Sequence, residues 1–351
     1  MKTLLKFFPF PKYLQIPGVG IDISDRSIKY IELVKKEKGL CVKQFGRNVL
    51  DSGIIENGEI KNKGKLVEAL KHFQHDLGNK YIIASLPEEK AFLKVVSLPE
   101  LEISKLKSTL ELQIEEIVPF SVEDVIFDYE VLSSGKGKMD IALGVISRQV
   151  AEDYAGAFKE AGFVPLAFEL ENQSVYRALV DRESKETVMI IDFGKTRTSF
   201  VVGRGNVVRF SSTIKISGSD IDAALAKKMK VDVFEAERFK LSQSLHKNAD
   251  PEFLAVALPF VSAIKDEMKR ILDFWRSHNG ENAAVGKIIL CGGDANIKGT
   301  DEFFSYNIDE KVEVGNVWVN VADIEDYLPV IEKKESLMYT TALGLALRQF
   351  V

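Results

Sequence analysis

VGIDISDRSIKYIELV (residues 19–34) and TVMIIDFGKTRTSFVVG (residues 187–203) are the two stretches that decide the fold. In each, an apolar run rich in β-branched residues ends near an aspartate, Asp22 or Asp192. A few small and polar residues then turn the chain, and a second apolar run returns. That pattern reads as a strand–turn–strand unit. Ile21-Asp22-Ile23-Ser24 aligns with Ile191-Asp192-Phe193-Gly194, so the middle of the chain repeats its opening. A repeat at domain scale predicts two similar α/β lobes, each opening on a hairpin whose turn faces the other lobe. A third segment, Ile288-Ile289-Leu290-Cys291-Gly292-Gly293, reads as a buried strand running into a glycine turn.

The chain has 351 residues, of which 46% are hydrophobic and 28% charged, with a formal net charge of −5. At about 150 residues per domain this length suggests two domains. The apolar fraction excludes a disordered or fibrous chain. The mildly acidic balance offers no clustered Lys/Arg to neutralise phosphates, so nucleic acid is not an expected partner. Two cysteines, Cys41 and Cys291, build neither a disulfide framework nor a zinc cluster, which points to a reducing, cytoplasmic setting. No run of about 18 apolar residues predicts a membrane span. Residues 1–17 read as a flexible leader, interrupted by Pro9 and Pro11, whose Leu4, Leu5, Phe7, Phe8 and Phe10 could touch a membrane surface or simply pack. His72 and His75, three apart on a predicted helix, lack a third ligand nearby and read as exposed residues.

Working outward from the repeats, strands are expected at 19–23, 28–34, 81–86 and 92–98, with a helix at 66–77. A helix at 104–118 gathers Ile103, Leu106, Leu110, Ile114 and Ile117 on one face, with Ser104 as N-cap and Pro119 as stop. Segments 125–132 and 139–146 alternate about a Ser-Ser-Gly-Lys-Gly-Lys turn and predict a hairpin. A helix at 150–161, a strand at 164–171 and a helix at 172–180 follow. The second repeat continues with strands at 187–192, 198–203 and 207–214, then helices at 219–230, 233–245 and 251–278. A strand at 287–291, a helix starting near Thr300 and one apolar helix over 336–349 complete the chain.

A ligand held between two such lobes meets two hairpin turns and two carboxylates. Turn N–H groups form anion-binding concavities, which suits phosphates. Two carboxylates would repel a phosphate chain, so Asp22 and Asp192 imply an intervening Mg²⁺, which takes one or two carboxylates and keeps most of its waters. The missing side chains at Gly292 and Gly293 let a flat base or a ribose lie against backbone. Each motif alone reads equally well as a turn carboxylate capping backbone amides. Their order and spacing together favour a nucleotide site.

The order GIDISDRSIKYIEL, IDFGKTRTSF, IILCGGDANIKG resembles the phosphate-1, phosphate-2 and adenosine motifs of the actin-like ATPase superfamily. Within it, the chain from about Pro17 to its end resembles the PilM family of type IV pilus assembly proteins, relatives of the division protein FtsA. The specific text includes Ser85-Leu86-Pro87, Val96-Ser97-Leu98-Pro99, Glu115-Glu116-Ile117-Val118-Pro119-Phe120 and Asp128-Tyr129-Glu130-Val131-Leu132. Ala236-Glu237-Arg238-Phe239-Lys240 and Tyr339-Thr340-Thr341-Ala342-Leu343-Gly344-Leu345-Ala346 belong to it as well. The resemblance implies an α/β, two-lobed actin-like fold (a duplicated ribonuclease H-like unit) with an FtsA-type inserted subdomain. The first lobe would take 18–180 plus 336–351, including an insert at about 88–165, and the second lobe 181–335.

It also implies roles. Asp22 and Asp192 would hold Mg²⁺, and Ser24, Asp25, Arg26, Ser27, Gly194, Lys195, Thr196 and Thr198 would cradle the phosphates of ATP, with Lys29 adding charge. Glu237 and Lys240, three apart on one helical face, would reach the ribose or adenine, with Gly218 before their helix and Gly292 and Gly293 behind the adenosine. Glu171 matches the position that orients the attacking water. Three departures stand out: Ser24-Asp25-Arg26-Ser27 lacks the usual glycine, Asp294 replaces a glycine of the adenosine turn, and Ser217 replaces the first of a glycine pair. ATP hydrolysis is therefore expected to be slow at best. The resemblance further implies a partner, the cytoplasmic tail of a PilN-like inner-membrane protein, docked in a groove between insert and lobe near Phe92, Phe127 and Tyr129. The protein would then sit in the cytoplasm, at the inner face of the membrane, among other pilus assembly proteins, with homo-oligomerisation left open. A filament-forming FtsA-like division protein and a sugar or metabolite kinase of the same fold are the alternatives. The kinase would need a catalytic base on an added segment, and no such segment is evident.

Overall fold

A computed structural model of the chain describes residues 17–37, 39–118, 120–135, 137–280, 284–321 and 329–350. The leader up to residue 16, Lys38 and the helix stop expected at Pro119 lie outside the described residues. The alternation of the opening segment is realised as β1 (Val19–Ser24), which buries Val19, Ile21 and Ile23 on one face. It turns directly into antiparallel β2 (Ser27–Lys36), and β3 (Gly39–Val49) adds a third antiparallel strand. A small hairpin, β4 (Ile55–Glu56) and β5 (Glu59–Ile60), leads to α1 (Lys63–Leu77), capped by the Asn62 side chain accepting from Lys65 N at 3.0 Å. Strand β6 (Tyr81–Leu86) then runs parallel to β1.

The next segment leaves this sheet. Strand β7 (Ala91–Pro99), helix α2 (Ile103–Ile117) and the hairpin β8 (Val125–Gly135) and β9 (Lys138–Ser147) form a unit of their own. Leu106, Leu110 and Ile114, each four apart on α2, pack against Leu98, Met139, Ile141, Leu143 and Val145 of its sheet. Ser104 does not cap this helix. Glu102 holds the N-cap position without a side-chain bond to the backbone, and Ser104 falls in the first turn. Helix α3 (Arg148–Glu160) then returns to β10 (Val164–Leu170), which pairs parallel with β6. The first sheet therefore has the order β10-β6-β1-β2-β3.

After α4 (Glu171–Leu179) the same plan recurs in β11 (Thr187–Phe193), β12 (Thr198–Arg204) and β13 (Val207–Ile214), an antiparallel meander. Helices α5 (Gly218–Met229), α6 (Val233–Ser242) and α7 (Pro251–Asn279) lead to β14 (Lys287–Cys291). Helix α8 (Thr300–Ser305) then leads to β15 (Lys311–Val314). Strand β14 is parallel to β11, and β15 to β14, so this half repeats the first strand for strand. The fold is the duplicated, actin-like one. The second sheet continues past β13 into the inserted unit, through Phe210 opposite Lys94, giving β15-β14-β11-β12-β13-β7-β9-β8.

The chain closes with α9 (Lys333–Ser336), a tight turn at Leu337–Tyr339 and α10 (Thr340–Leu347), where one continuous helix was expected. The Thr340 hydroxyl donates to the Leu337 carbonyl at 2.8 Å, a local bond that competes with the helical ladder at the break. All eight residues of α10 are buried between β1 and α4. A Cβ on Gly344 would stand 1.8 Å from the Ser174 carbonyl oxygen of α4, and one on Gly20 would stand 2.1 Å from the Ala342 carbonyl oxygen. Arg177 of α4 locks the crossing by donating to the Gly344 carbonyl at 2.9 Å while paired with Glu169. Overpacked cores lose about 1–3 kcal/mol. Gly344→Ala should therefore lower stability by about 2–3 kcal/mol in urea unfolding. Gly293→Ala, facing open space, should change it by less than about 0.5 kcal/mol.

Candidate functional site

Strand alternation decides where the two aspartates go. With Ile21 and Ile23 in the core of the first sheet, Asp22 points to the opposite face, and the duplicated geometry does the same for Asp192. Both line one cleft, together with the turn after β1, the turn after β11 and the glycine turn after β14. The residues around the α10 break, Leu337, Met338, Thr340 and Thr341, form part of its wall.

The two carboxylates are held differently. Asp22 lies directly across the hairpin from Lys29, which donates to it at 2.9 Å, and Ser85 adds a bond at 3.3 Å. Asp192 has Cys291 of the neighbouring strand as its side-chain donor. Loss of water raises the Asp192 pKa, Arg197 and Lys29 pull it down, and Asp22 pushes it up again. Asp22 and Lys29 of the first repeat thus act electrostatically on Asp192 of the second. The Cys291 thiol is raised well above its ordinary value by burial beside Asp192, so it is a packing and hydrogen-bonding group and not a nucleophile.

In the first turn, Ser24, Arg26 and Ser27 line the cleft and Asp25 does not. The Asp25 carboxylate instead accepts from Asn57 N at 2.9 Å and Gly58 N at 3.1 Å, on the β4–β5 hairpin. The like-charge contact that this residue would make with a phosphate is therefore absent. Arg26 donates to Ser52 at 2.6 Å at the cleft margin. In the second turn, Gly194, Lys195, Thr196 and Arg197 line the cleft. Thr198 is buried and donates to the Ile216 carbonyl at 2.7 Å, away from it.

Lys240 was expected at the ribose and is found elsewhere. Its side chain is wholly inaccessible, paired with Asp222 at 2.8 Å and with Asp294, and donates to the Gly218 carbonyl at 3.1 Å. Burial works to depress its ammonium pKa, but the two carboxylates outweigh that and leave it raised. Asp294 lies over Gly218, where a Cβ would stand 1.8 Å from the carboxylate, so these two positions fit each other and Gly218 also stays out of the cleft. Ser217 opens α5 as half of a capping box, its backbone N–H at 2.9 Å and its hydroxyl at 2.6 Å both donating to the Asp220 carboxylate. Glu237 does reach the cleft, bonded to Lys195 at 2.7 Å, while Lys195 also holds Asp222 at 2.7 Å. Gly292 (φ 86) is pressed against Asp192 and the Phe193 carbonyl, a backbone that disfavours any side chain, and Gly293 faces open space in the cleft.

Glu171, the first residue of α4, lines the cleft and forms an ion pair with Arg197. Burial pushes its carboxyl up, Glu89 and Asp22 add to the rise, and Arg197 opposes it. Arg197 was missed in the sequence because the resemblance pointed to the amides of its turn and not to this side chain. An arginine between the buried Phe193 and Thr198 was the available signal. Arg47 and Lys334, from β3 and α9, also line the cleft and carry no local motif. In the inserted unit Phe92 is partly exposed against the Phe120 ring, 5.5 Å between centroids, while Phe127 and Tyr129 pack on the unit's own core.

A family model described as type IV pilus assembly protein PilM matches residues 20–350. Among solved structures, the chain is similar to a PilM-PilN type IV pilus biogenesis complex, with TM-score 0.82 and 19% identity over 96% of this chain and 99% of that one. It is similar also to MreB5 of Spiroplasma citri bound to ADP, with TM-score 0.61 and 13% identity over 95% and 96% of the two chains. The ethanolamine utilization protein EutJ from Carboxydothermus hydrogenoformans gives TM-score 0.56 and 14% identity over 94% and 89%.

Removing one partner from a buried ion pair costs about 3–5 kcal/mol. Lys240→Met takes the paired cation from buried Asp294 and leaves Asp222 with Lys195 alone, so a loss of about 3–5 kcal/mol is expected in denaturant unfolding. A loss under about 1 kcal/mol would mean the triad does not hold the glycine turn after β14 to α5 and α6.

Proposed function

The chain belongs to the type IV pilus assembly protein PilM family, and from that premise we propose that it is an actin-like scaffold with two binding tasks. It binds ATP with Mg²⁺ between its repeated halves, and it docks the cytoplasmic tail of a PilN-like inner-membrane protein. The observation that carries the first task is the convergence of Asp22, Asp192 and the Gly292–Gly293 turn on one cleft. The open backbone at Gly293 suits a base or ribose, and the two hairpin turns suit phosphates. Asp22 and Asp192 would hold Mg²⁺, which would neutralise phosphate charge there. Lys29 pairs with Asp22 across the hairpin and orients its carboxylate. Lys195, tethered to Asp222 and Glu237, supplies a cation at the rim, and Glu237 takes the ribose side alone, since Lys240 is committed to the buried triad. Glu171 is the candidate for orienting water, but its Oε2 accepts from Arg197, so turnover is expected to be slow.

For the second task, the similarity to a PilM-PilN complex over nearly the full length of both chains supports the same partner class here. An extended tail gains main-chain hydrogen bonds and a few side-chain anchors, and the exposed Phe92–Phe120 pair is the anchor site on the insert. Among the described residues no helix is long and apolar enough to cross a membrane. Attachment at the inner face through the partner is therefore the reading we adopt.

Titration calorimetry tests the first task. ATP·Mg²⁺ should give saturable heat that weakens in EDTA and in Asp192→Asn, and at 100 times Kd it should stabilise the fold by about 2.7 kcal/mol. No heat and no stabilisation at millimolar nucleotide would end the nucleotide reading. For the second task, Phe92→Ala should weaken binding of a PilN-like tail peptide by about tenfold, the loss of one anchor. Unchanged affinity would move the groove elsewhere.

A further inference from the structure

We infer that Arg197 is the residue by which this cleft distinguishes a nucleoside triphosphate from a diphosphate, and that it reports the difference to the inserted unit through Glu89. The inference rests on the nucleotide reading above and adds a specificity residue and its output.

Arg197 stands in the turn between β11 and β12, with its side chain 13% exposed into the cleft. Its guanidinium meets two carboxylates of different origin. Glu171 begins α4 behind the cleft, and Glu89 lies in the short link from β6 to β7, where the inserted unit begins. Glu88 of the same link is also within its field, bonded to Ser211 of β13 at 2.9 Å and to the Asn172 amide. One guanidinium thus serves three carboxylates. Glu88, Glu89 and Glu171 each keep one buried oxygen without a hydrogen-bond partner.

The first phosphate turn reaches this link too. Asp25 holds the backbone of Asn57 and Gly58, and Gly58 packs so closely on Pro87 that a Cβ would stand 2.5 Å from the proline ring. Glu59, the next residue, pairs with Lys90. Both turns that would meet phosphate are therefore tied to Pro87, Glu88, Glu89 and Lys90. Strand β7 starts at Ala91, immediately after them, and Phe210 opposite Lys94 joins it to β13.

A guanidinium binds phosphate oxygens in a bidentate fork, and a terminal phosphate carries more charge than a carboxylate. Arg197 sits beside Glu171 on the side of the cleft that the turn after β11 forms, with Glu89 and Asp25 also acting on it, while Gly293 and Glu237 come from the glycine turn and α6. A terminal phosphate reaching that end competes with Glu89 for the guanidinium, whereas a diphosphate ends one phosphate short. Releasing Glu89 unpins the root of β7. Because coupling between sites is reciprocal, whatever holds the insert shifts triphosphate affinity by the same factor.

The test uses the full chain with ATP·Mg²⁺ and ADP·Mg²⁺ in calorimetry, and with AMPPNP·Mg²⁺ and ADP·Mg²⁺ in hydrogen exchange. Glu89→Gln removes one competitor, so the ratio of ATP to ADP affinity should rise by about 5-fold or more, within the range usual for coupled sites. Arg197→Lys keeps the charge and loses the fork, so the ratio should fall towards one. In the unaltered protein, AMPPNP but not ADP should speed amide exchange over residues 88–99, a readout that needs no variant to fold. Equal changes for both nucleotides, or identical exchange with each, overturns this inference and leaves nucleotide binding standing. Absence of heat with either nucleotide overturns both.

Discussion

The close crossing of α10 with β1 and α4 is the constraint on which the remaining geometry depends. The two sheets meet in one shared core, where Ile31, Leu33 and Leu40 of the first sheet pack with α4, α10 and the second sheet, while the far face of the first sheet keeps a core of its own. The wholly buried α10 enters that shared core because Gly20 and Gly344 let three backbones approach where any Cβ would collide. With that approach set, the aspartate hairpin of each repeat opens onto the same space. The break ahead of α10 then becomes wall, and Arg177, bonded to the Gly344 carbonyl, fixes the angle from the side of α4.

Within that frame, the positions that looked anomalous form consistent sets. Asp25 is no intruder at a phosphate, because its charge is spent on two amides of a neighbouring hairpin. Asp294 and Lys240 exchange roles with each other: a lysine withdrawn from the cleft neutralises the aspartate that stands where a glycine was expected. Asp222 completes that triad and also ties Lys195 at the rim, so the glycine-turn side of the cleft is braced by buried charge. On the hairpin side Arg197 plays the corresponding part, joining the second turn to α4 and to the root of the insert. The cleft is thus stiffened at both ends by ion pairs that a ligand would have to join or displace.

The duplicated fold was legible because hydrophobic periodicity reports burial directly: Ile21 and Ile23 alternate with Gly20 and Asp22, and β11 is apolar from Val188 to Ile191 because it lies between β12 and β14 inside its sheet. Strand β3 was not, since Gly46 and a register shift opposite Glu32 and Leu33 break its alternation. The four-residue β15 was too short to carry a period. Ser104 misled as a cap because α2 already begins at Ile103, with Glu102 at the N-cap and no side-chain bond closing its first turn. At the site, residues on the strands and turns of the repeats were placed by their own motif, as Asp22, Asp192 and Gly293 show. Residues whose role comes from a partner far along the chain were not. Lys240 depends on Asp222 and Asp294, Asp25 on Asn57 and Gly58, and Arg197 on Glu89. Local spacing holds no information about such pairings.

The central claim is that two repeated hairpins and one glycine turn make a single seat for a magnesium nucleotide. A crystal structure of this chain grown with AMPPNP and Mg²⁺ addresses it most directly. The account predicts the phosphates between the Ser24–Ser27 and Gly194–Arg197 turns, the ion beside Asp22 and Asp192, and the sugar against Gly293. Electron density for the nucleotide anywhere else, with the Asp22–Lys29 pair and the space above Gly293 undisturbed, would contradict it.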